Sequence, residues 1–252
     1  MTSRLIEAYE AGHSDGALRR DAAQRAVAQR LDSLCRALAG SRPARGSLLA
    51  RLGLGRSAPA AQTGPRGLYI HGPPGRGKSM LMDLFFEAAP VEAKRRVHVH
   101  AFMQGVHEQL HRWRTEDSGR QLDDPLRRLG QVIAEDVRLL CFDEFQVEAI
   151  ADAMILRRLF ESLFDNGVVV VATSNTAPDD LYRDGLQRER FLPFIDLLKE
   201  QVDVVVLNGE TDYRRDRLKA VGVYHTPLGP SADSALGEVF AATRPGGLLA
   251  VA

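Results

Sequence analysis

The feature that most constrains the fold of this chain is the stretch GPPGRGKS, which runs from Gly72 to Ser79. It matches the phosphate-binding pattern GxxxxGK[ST] at every defined position, and it lies between a strand-like run at 67–71 and good helix formers at 79–89. Glycines let the backbone of such a loop curl so that its N–H groups point at phosphate oxygens. The pattern therefore predicts a nucleotide site between a first strand and a helix whose N-terminus lies beneath the phosphates.

The residue types in this stretch indicate how a nucleotide would be held. Lys78 is expected to reach the β- and γ-phosphates of ATP, and the Ser79 hydroxyl is expected to coordinate Mg²⁺. The other predicted nucleotide-binding residues are Gly72, Pro73, Pro74, Gly75, Arg76, Gly77 and Met80. The alternative is a Gly/Pro turn that only resembles a phosphate cradle. It would require strand, loop, Lys-Ser pair and helix to coincide by chance, so we favour nucleotide binding.

A second constellation follows the apolar run 137–142, which ends in Asp143 and Glu144. A buried strand with two carboxylates at its C-terminal end is what a magnesium-nucleotide site beside the phosphate loop requires. Asp143 is expected to hold Mg²⁺, directly or through water, and Glu144 is expected to orient and activate the attacking water. The alternative is an ordinary strand followed by an acidic helix cap.

A further strand is predicted at 168–172, and it is followed by Thr173, Ser174 and Asn175. Polar side chains at the C-terminal edge of a parallel sheet lie in the crevice where ligands of such sheets bind. Asn175 is therefore predicted to hydrogen-bond the attacking water or the γ-phosphate. Its alternative role is to turn the chain before Pro178.

Residues 95–102 alternate with period two, which predicts a second strand. His98 and His100 would then share one face of that strand. A metal site normally needs three or four donors, and no third ligand is evident nearby, so structural or interface histidines are the favoured interpretation.

Composition and periodicity divide the chain into four predicted parts. Residues 1–39 form a helical N-terminal arm, and residues 40–66, rich in Gly, Pro, Ala, Ser and Arg, form a flexible linker. Residues 67–208 form the nucleotide-binding core, which ends with a fifth strand at 202–207. Residues 209–252 form a partial C-terminal region.

The balance of charges gives no electrostatic signal for nucleic acid or an acidic membrane, because Lys+Arg and Asp+Glu both number 33. The two cysteines, Cys35 and Cys141, stand far apart and fit reduced thiols in a cytosolic protein. The apolar runs are of strand size, which is too short for a signal peptide or a membrane span. We therefore expect a cytoplasmic location.

The order of these motifs resembles the core of an AAA+ ATPase, and the details are similar to the ZapE-like (AFG-type) family, which is associated with bacterial cell division. The resemblance covers nearly the whole chain and is carried by YxxG near Tyr9, DxxQ at Asp21 and Gln24, GPPGRGKSMLMDLFF, RRVHVHAFM, CFDEFQV, ADAMIL, TSN and LYRDGLQRERFLPFI. It implies an α/β fold, a P-loop AAA+ core with a five-stranded parallel sheet in the order 5-1-4-3-2. Helices would flank this sheet on both faces.

The resemblance also implies two groups of residues that the spacing alone does not assign. Asp21 and Gln24 would approach the adenine from the N-terminal arm, although a helix cap and a surface glutamine fit the sequence equally well. Phe102 and Met103 occupy a place from which AAA+ rings often point apolar residues into the pore, and core packing is at least as good an interpretation.

In the same family arrangement, the turn GLQRERF faces away from its own phosphate loop. Arg190, with Arg188 as the second choice, would then act in trans on the ATP of a neighbouring subunit. The alternative is a helix-end arginine that pairs with Asp184 or Glu189 on the surface.

The function that the resemblance implies is hydrolysis of ATP, with Mg²⁺, coupled to remodelling of a protein partner, FtsZ in cell division. It implies a homo-oligomer for the full-length family member and allows peripheral association with the division machinery. The alternative is a helicase-loader-like AAA+ module acting on DNA replication proteins. The neutral charge and the lack of an aromatic-basic stripe count against binding of nucleic acid.

A small-molecule kinase would share the phosphate loop but has no need of the Asn-ended strand and the Arg-rich turn. Members of the family continue into a helical lid that carries a second sensor arginine. The resemblance therefore implies that residues 209–252 are only the start of that lid. Arg214, Arg215 and Arg217 do not convincingly replace the sensor.

Overall fold

The computed structural model describes residues 4–14, 21–40, 64–116 and 123–208. Most of the predicted linker and the whole predicted C-terminal region, with Arg214, Arg215 and Arg217, lie outside the described residues. The described residues all belong to one unit of the chain, residues 1–209.

Five strands form one sheet at the centre of the fold: β1 (Gly67–His71), β2 (Lys94–His98), β3 (Leu139–Asp143), β4 (Val169–Ser174) and β5 (Val202–Val206). Every neighbouring pair is parallel, and the order across the sheet is β2-β3-β4-β1-β5. This is the predicted order 5-1-4-3-2 viewed from the opposite edge. The predicted fold class is confirmed.

Seven α-helices surround the sheet in the described part of the chain: α1 (Arg4–Ser14), α2 (Ala22–Gly40), α3 (Lys78–Ala88), α4 (Val99–Glu116), α5 (Pro125–Asp136), α6 (Ile150–Asp165) and α7 (Leu192–Gln201). Short 3₁₀ turns lie at Pro178–Asp180 and Arg188–Arg190. None of the described helices has the length and apolar character needed to cross a lipid bilayer.

Alternation along the strands divides the core into two layers, as the pleat of a strand requires. On β3, Leu139 and Cys141 pack with buried residues of α1, α2 and α3. Leu140 and Phe142 point to the opposite face and pack with buried residues of α4 to α7. The sheet is therefore covered on both faces, which is the usual arrangement of a parallel sheet.

Local chemistry explains several helix ends. Asp124 begins α5 because its side chain accepts a hydrogen bond from the Arg127 N–H at 3.1 Å, and Pro125 suits the first helical position. Lys94 caps the C-terminus of α3, where its Nζ donates to the carbonyl oxygens of Phe86 and Ala89.

The second strand is shorter than predicted. β2 ends at His98 and α4 begins at Val99, so the prediction that His98 and His100 share a strand face is wrong. The buried side chains of this segment recur three and four residues apart, at Val99, Phe102, Met103, Val106 and Leu110. This spacing is helical, and the period-two pattern before it is too short to separate the two structures. Phe102 and Met103, only 3% and 2% exposed, pack in the core.

The two cysteines are buried and unpaired. Burial raises the pKa of the Cys35 thiol to about 11 and that of Cys141 to about 12. Both thiols are therefore protonated and unreactive at neutral pH.

Candidate nucleotide-binding site

The phosphate loop, residues 72–77, joins β1 to the N-terminus of α3. Gly75 and Gly77 have φ angles of 77° and 86°, which side chains on L-residues rarely tolerate. A Cβ on Gly77 would also lie 2.7 Å from Nε2 of Gln24. The backbone conformation at position 77 therefore favours glycine, and any larger residue would also have to displace the Gln24 amide.

Lys78 is the first residue of α3, and only 8% of it is exposed. Its Nζ donates hydrogen bonds to the carbonyl oxygens of Gly72 at 2.6 Å and Pro73 at 2.8 Å. The ammonium group therefore lies inside the curve of its own loop. Ser79 follows it with an exposed side chain in the first turn of the helix.

His71 precedes the phosphate loop at the end of β1. Burial lowers the pKa of its imidazole; the charge of Asp180 acts in the opposite direction, and that of Lys78 adds to the lowering. The imidazole is therefore mostly neutral at pH 7 and adds little positive charge beside Lys78.

The carboxylates of Asp143 and Glu144 follow one another at the end of β3, and β4 holds the backbone there. The Glu144 N–H donates to Thr173 Oγ1 at 3.3 Å, and the Phe145 N–H donates to the Thr173 carbonyl oxygen at 2.7 Å. Ser174 Oγ donates to the Phe145 carbonyl oxygen at 2.7 Å. These contacts extend the connection between β3 and β4 beyond the last residue of β3.

Glu144 has a φ angle of 51°, in the left-handed region, and its side chain is exposed. This backbone conformation costs a non-glycine residue about 1–2 kcal/mol. The next residue, Phe145, is fully buried and makes edge contacts with the rings of Phe142 and Phe160. Burial of a phenyl ring contributes about 1.5–3 kcal/mol, which is enough to offset the strain at Glu144.

Asp143 is engaged by a residue that the sequence analysis did not single out. Arg96, on the neighbouring strand β2, donates from Nε to Asp143 Oδ2 at 2.6 Å and from Nη2 to Oδ1 at 3.1 Å. The remaining nitrogen, Nη1, donates to Oδ1 of Asp83 on α3. Burial alone would lower the pKa of Arg96, but the hydrogen bonds and charges of Asp143 and Asp83 raise it overall. The sequence signal that could have identified Arg96 is its charge in the interior of the second strand.

Asn175 follows the last residue of β4, and its side chain is exposed. Because β1, β4 and β3 are neighbours in a parallel sheet, the segments after them emerge at the same edge. The structure thus brings the phosphate loop, the pair Asp143–Glu144 and Asn175 to three adjacent strand ends.

The N-terminal arm contributes Asp21 and Gln24 in different ways. Asp21 caps α2, since its Oδ1 accepts hydrogen bonds from the N–H groups of Ala23 at 2.8 Å and Gln24 at 3.2 Å. Gln24 is not a surface residue: it is 1% exposed, and its Nε2 donates to the Arg76 carbonyl oxygen at 2.9 Å. Its Oε1 is buried and has no hydrogen-bond partner in the described part of the chain.

The Arg-rich turn, residues 182–190, contains the two candidate arginine fingers. Arg188 donates from Nη2 to the Asp179 carbonyl oxygen at 2.6 Å, so its guanidinium is tied to its own subunit. Arg190 is exposed, and no ion pair joins it to Asp184 or Glu189 within the described residues. Leu186, which precedes both arginines in the same turn, is 70% exposed.

Comparison with known proteins gives a consistent family and fold. The AFG1-like ATPase family model matches residues 2–247. The chain is 40% identical to the cell division protein ZapE of Escherichia coli K12 over 232 residues, which cover 90% of the chain and 59% of ZapE. It is 46% identical to lactation elevated protein 1 homolog B of Danio rerio over 182 residues, which cover 70% of the chain and 36% of that protein.

The solved structures that resemble the chain support the fold alone. AMPPCP-bound DnaA from Aquifex aeolicus gives a TM-score of 0.51 at 14% identity and covers 92% of the chain and 64% of DnaA. A DNA replication initiation factor gives 0.52 at 14% identity and covers 90% of the chain and 62% of that protein.

The chain spans about 59% of the length of ZapE and 36% of the length of the Danio rerio protein. The family model nevertheless covers nearly the whole chain, and the identity to ZapE extends over nine tenths of it. The chain belongs to the AFG1-like ATPase family.

Proposed function

We propose that this chain binds ATP together with Mg²⁺, hydrolyses the β–γ phosphoanhydride bond, and uses the reaction to remodel a protein partner. The observation that carries the proposal is the convergence of the phosphate loop, Asp143–Glu144 and Asn175 on three adjacent strand ends. Crevices at the carboxyl ends of parallel strands are where such sheets bind ligands.

The residues present fit a magnesium nucleotide. Left-handed glycines at positions 75 and 77 suit a backbone nest for phosphate oxygens, and the N-terminus of α3 adds a favourable dipole. The hydroxyl of Ser79 and the carboxylate of Asp143 are oxygen donors of the kind that Mg²⁺ prefers. When bound, Mg²⁺ would neutralise charge on the transferred phosphoryl group.

Each predicted side chain has a distinct task in this proposal. Lys78, which now contacts two loop carbonyls, would exchange them for phosphate oxygens. Glu144 would accept the proton of the attacking water, and its exposed side chain leaves it accessible to that water. Asn175 would hydrogen-bond the same water or the γ-phosphate. Gln24, through its contact with the loop, would help to hold the adenine side of the nucleotide, with Asp21 fixing the start of α2.

We assign the trans-acting arginine to Arg190 rather than Arg188. Arg188 is held by the Asp179 carbonyl oxygen, whereas no ion pair restrains Arg190 among the residues that the structure describes. A permanently charged guanidinium can fork onto the phosphate oxygens of a neighbour's ATP. The proposal therefore includes a homo-oligomer in which each site is completed by the next subunit.

The proposed partner is a protein of the cell division machinery, FtsZ, with the chain acting in the cytoplasm. The support is the 40% identity to a cell division protein, and two unpaired cysteines suit a reducing compartment. The helicase-loader alternative has no comparable support, because the two likenesses to replication proteins described above are at 14% identity and support the fold alone.

The substitution Glu144→Gln separates binding from hydrolysis. Affinity for a fluorescent ATP analogue should be retained, while turnover should fall by about 10²-fold or more, the scale of a lost general base. The matched control is Glu148→Gln, which makes the same change at an exposed residue four positions later. Equal turnover in Glu144→Gln and the unmodified protein would contradict the assignment, and absence of ATP binding would contradict the function.

A further inference from the structure

Asp143 lies in a chain of three alternating charges that links two strands and a helix. All three nitrogens of the Arg96 guanidinium are used: Nε and Nη2 on Asp143, and Nη1 on Asp83. The side chain of Asp143 is 13% exposed, that of Arg96 is 23% exposed, and that of Asp83 is 58% exposed. Arg96 therefore lies between an inner and an outer carboxylate.

The inner contact matters because of the role proposed for Asp143. A bidentate guanidinium occupies both carboxylate oxygens and neutralises their charge. A divalent cation needs those same oxygens and the same negative charge. Arg96 and a metal ion are thus two cations that compete for one carboxylate, an inference that rests on the proposed function of Asp143 as a magnesium residue.

The outer contact gives Arg96 a partner when Asp143 is taken. Asp83 lies on α3 four residues after Ser79, so the two share one face of the helix and lie one turn apart. Because Nη1 already contacts Asp83, Arg96 can give up Asp143 without becoming an unpaired charge, which would be costly in a partly buried place. Because the Asp83 side chain is exposed, the Arg96 guanidinium has room to move away from Asp143 while it keeps this contact.

We propose that Arg96 is a latch on Asp143: it holds the carboxylate while no metal nucleotide is bound and remains on Asp83 when Asp143 turns to the metal. Arg96 is then a positioning residue that sets how much Mg²⁺ the site requires. It does not contact the reacting atoms.

The test measures the free Mg²⁺ concentration that gives half of the maximal tightening of a fluorescent, non-hydrolysable ATP analogue. The measurement does not depend on turnover. Arg96→Gln removes the competing charge, so the half-maximal concentration should fall by about tenfold, the equivalent of one charge-assisted hydrogen bond. Asp83→Asn removes the outer partner and leaves Arg96 on Asp143 alone, so the concentration should rise several-fold. Arg95→Gln, at an exposed neighbour on the same strand, should leave it unchanged.

The opposite signs of the two variants distinguish the latch from a structural role. If both variants raise the Mg²⁺ requirement, Arg96 orients Asp143 for the metal and the latch is wrong. If neither variant changes it, the latch is also wrong. Should Arg96→Gln fail to fold, the surface variant Asp83→Asn decides, since a lowered or unchanged requirement contradicts the latch.

Failure of the proposed function gives a different result. An unmodified protein that does not bind the analogue, or binds it without regard to Mg²⁺, overturns both the function and the latch. Binding that depends on Mg²⁺ but does not respond to Arg96→Gln overturns the latch alone.

Discussion

Two charged residues on the phosphate-loop side of the sheet, Lys78 and Asp143, have hydrogen-bond partners within the chain, whereas Arg190 in the Arg-rich turn is exposed. Lys78 contacts two loop carbonyls, and Asp143 contacts Arg96. In the Arg-rich turn, Arg190 is exposed and lies close in sequence to Leu186, an apolar side chain that is 70% exposed. The first region holds these two charges by contacts within the chain, and the second has charge and apolar surface exposed.

The backbone of the Arg-rich turn is strained at two residues, as that of the phosphate-loop side is at Glu144. Tyr182 and Gln187 have φ angles of 53° and 56°, which resemble the 51° of Glu144. Tyr182 is 8% exposed, donates from its hydroxyl to the Leu186 carbonyl oxygen at 3.0 Å, and packs on Phe191. Strained backbone that is held by buried aromatic rings is typical of functional positions. This supports the proposal that the turn presents Arg190 to a neighbouring subunit.

The largest effect on ATP turnover is expected from a change in the Arg-rich turn. Arg190→Ala should lower ATP turnover by about 10³-fold or more, because an arginine finger stabilises charge in the transition state. Affinity for the fluorescent ATP analogue should stay within about twofold, since each subunit's own phosphate loop is intact. The control is Arg183→Ala, on the same turn, whose guanidinium pairs with Asp180 at 3.1 Å. Loss of turnover in both variants would contradict a specific role for Arg190.

A variant on the phosphate-loop side should instead lose affinity for the nucleotide. Lys78→Ala should weaken binding of the ATP analogue by about 10²-fold, the equivalent of one or two hydrogen bonds made by a charged group. Lys199→Ala is the control, because Lys199 is an exposed lysine that pairs with Asp179 at 2.7 Å. Unchanged affinity in Lys78→Ala, measured by equilibrium fluorescence titration, would remove Lys78 from the nucleotide site.

A smaller effect is expected from a change that disturbs only the support of the Arg-rich turn. A Cβ at Gly185 would lie 2.2 Å from the ring of Tyr182, which is buried and hydrogen-bonded, so Gly185→Ala should cost about 1–3 kcal/mol. The Tm should fall by several degrees and turnover should fall a few-fold, with nucleotide affinity unchanged.

The control for this variant is Gly105→Ala in α4, where no described atom beyond the adjacent residues and the helix's own backbone lies within 4 Å of the added Cβ. That change should leave the Tm equal or slightly higher, because alanine favours a helix more than glycine does. Equal thermal stability of Gly185→Ala and the unmodified protein would show that the turn accommodates the added methyl group without strain, which would contradict this prediction.

The sequence predicted those parts of the molecule that local patterns determine. The phosphate loop, the strand before Asp143 and the strand before Asn175 each combine an apolar run with a diagnostic end, and all three lie where they were expected. The sheet order followed from resemblance to a family, and the topology confirms it.

The features that the sequence did not predict depend on residues far apart in the chain. Arg96 and Asp143 are 47 residues apart, Gln24 and Arg76 are 52 apart, and Glu144 and Thr173 are 29 apart. No local pattern contains such pairs. The boundary between β2 and α4 was misplaced because of a local pattern. A few residues at period two precede a helical spacing, and recognition of that spacing needs a longer window.

The most direct test of a site shared between subunits mixes Lys78→Ala with Arg190→Ala. Each variant lacks what the other supplies: one has an intact Arg190 and the other an intact phosphate loop. Mixed assembly is verified by co-purification of copies that carry different tags, and ATP turnover is then measured at a fixed total concentration. The account predicts that the mixture turns over ATP faster than the sum of the two variants measured separately. A mixture that assembles and shows no more activity than that sum would contradict it.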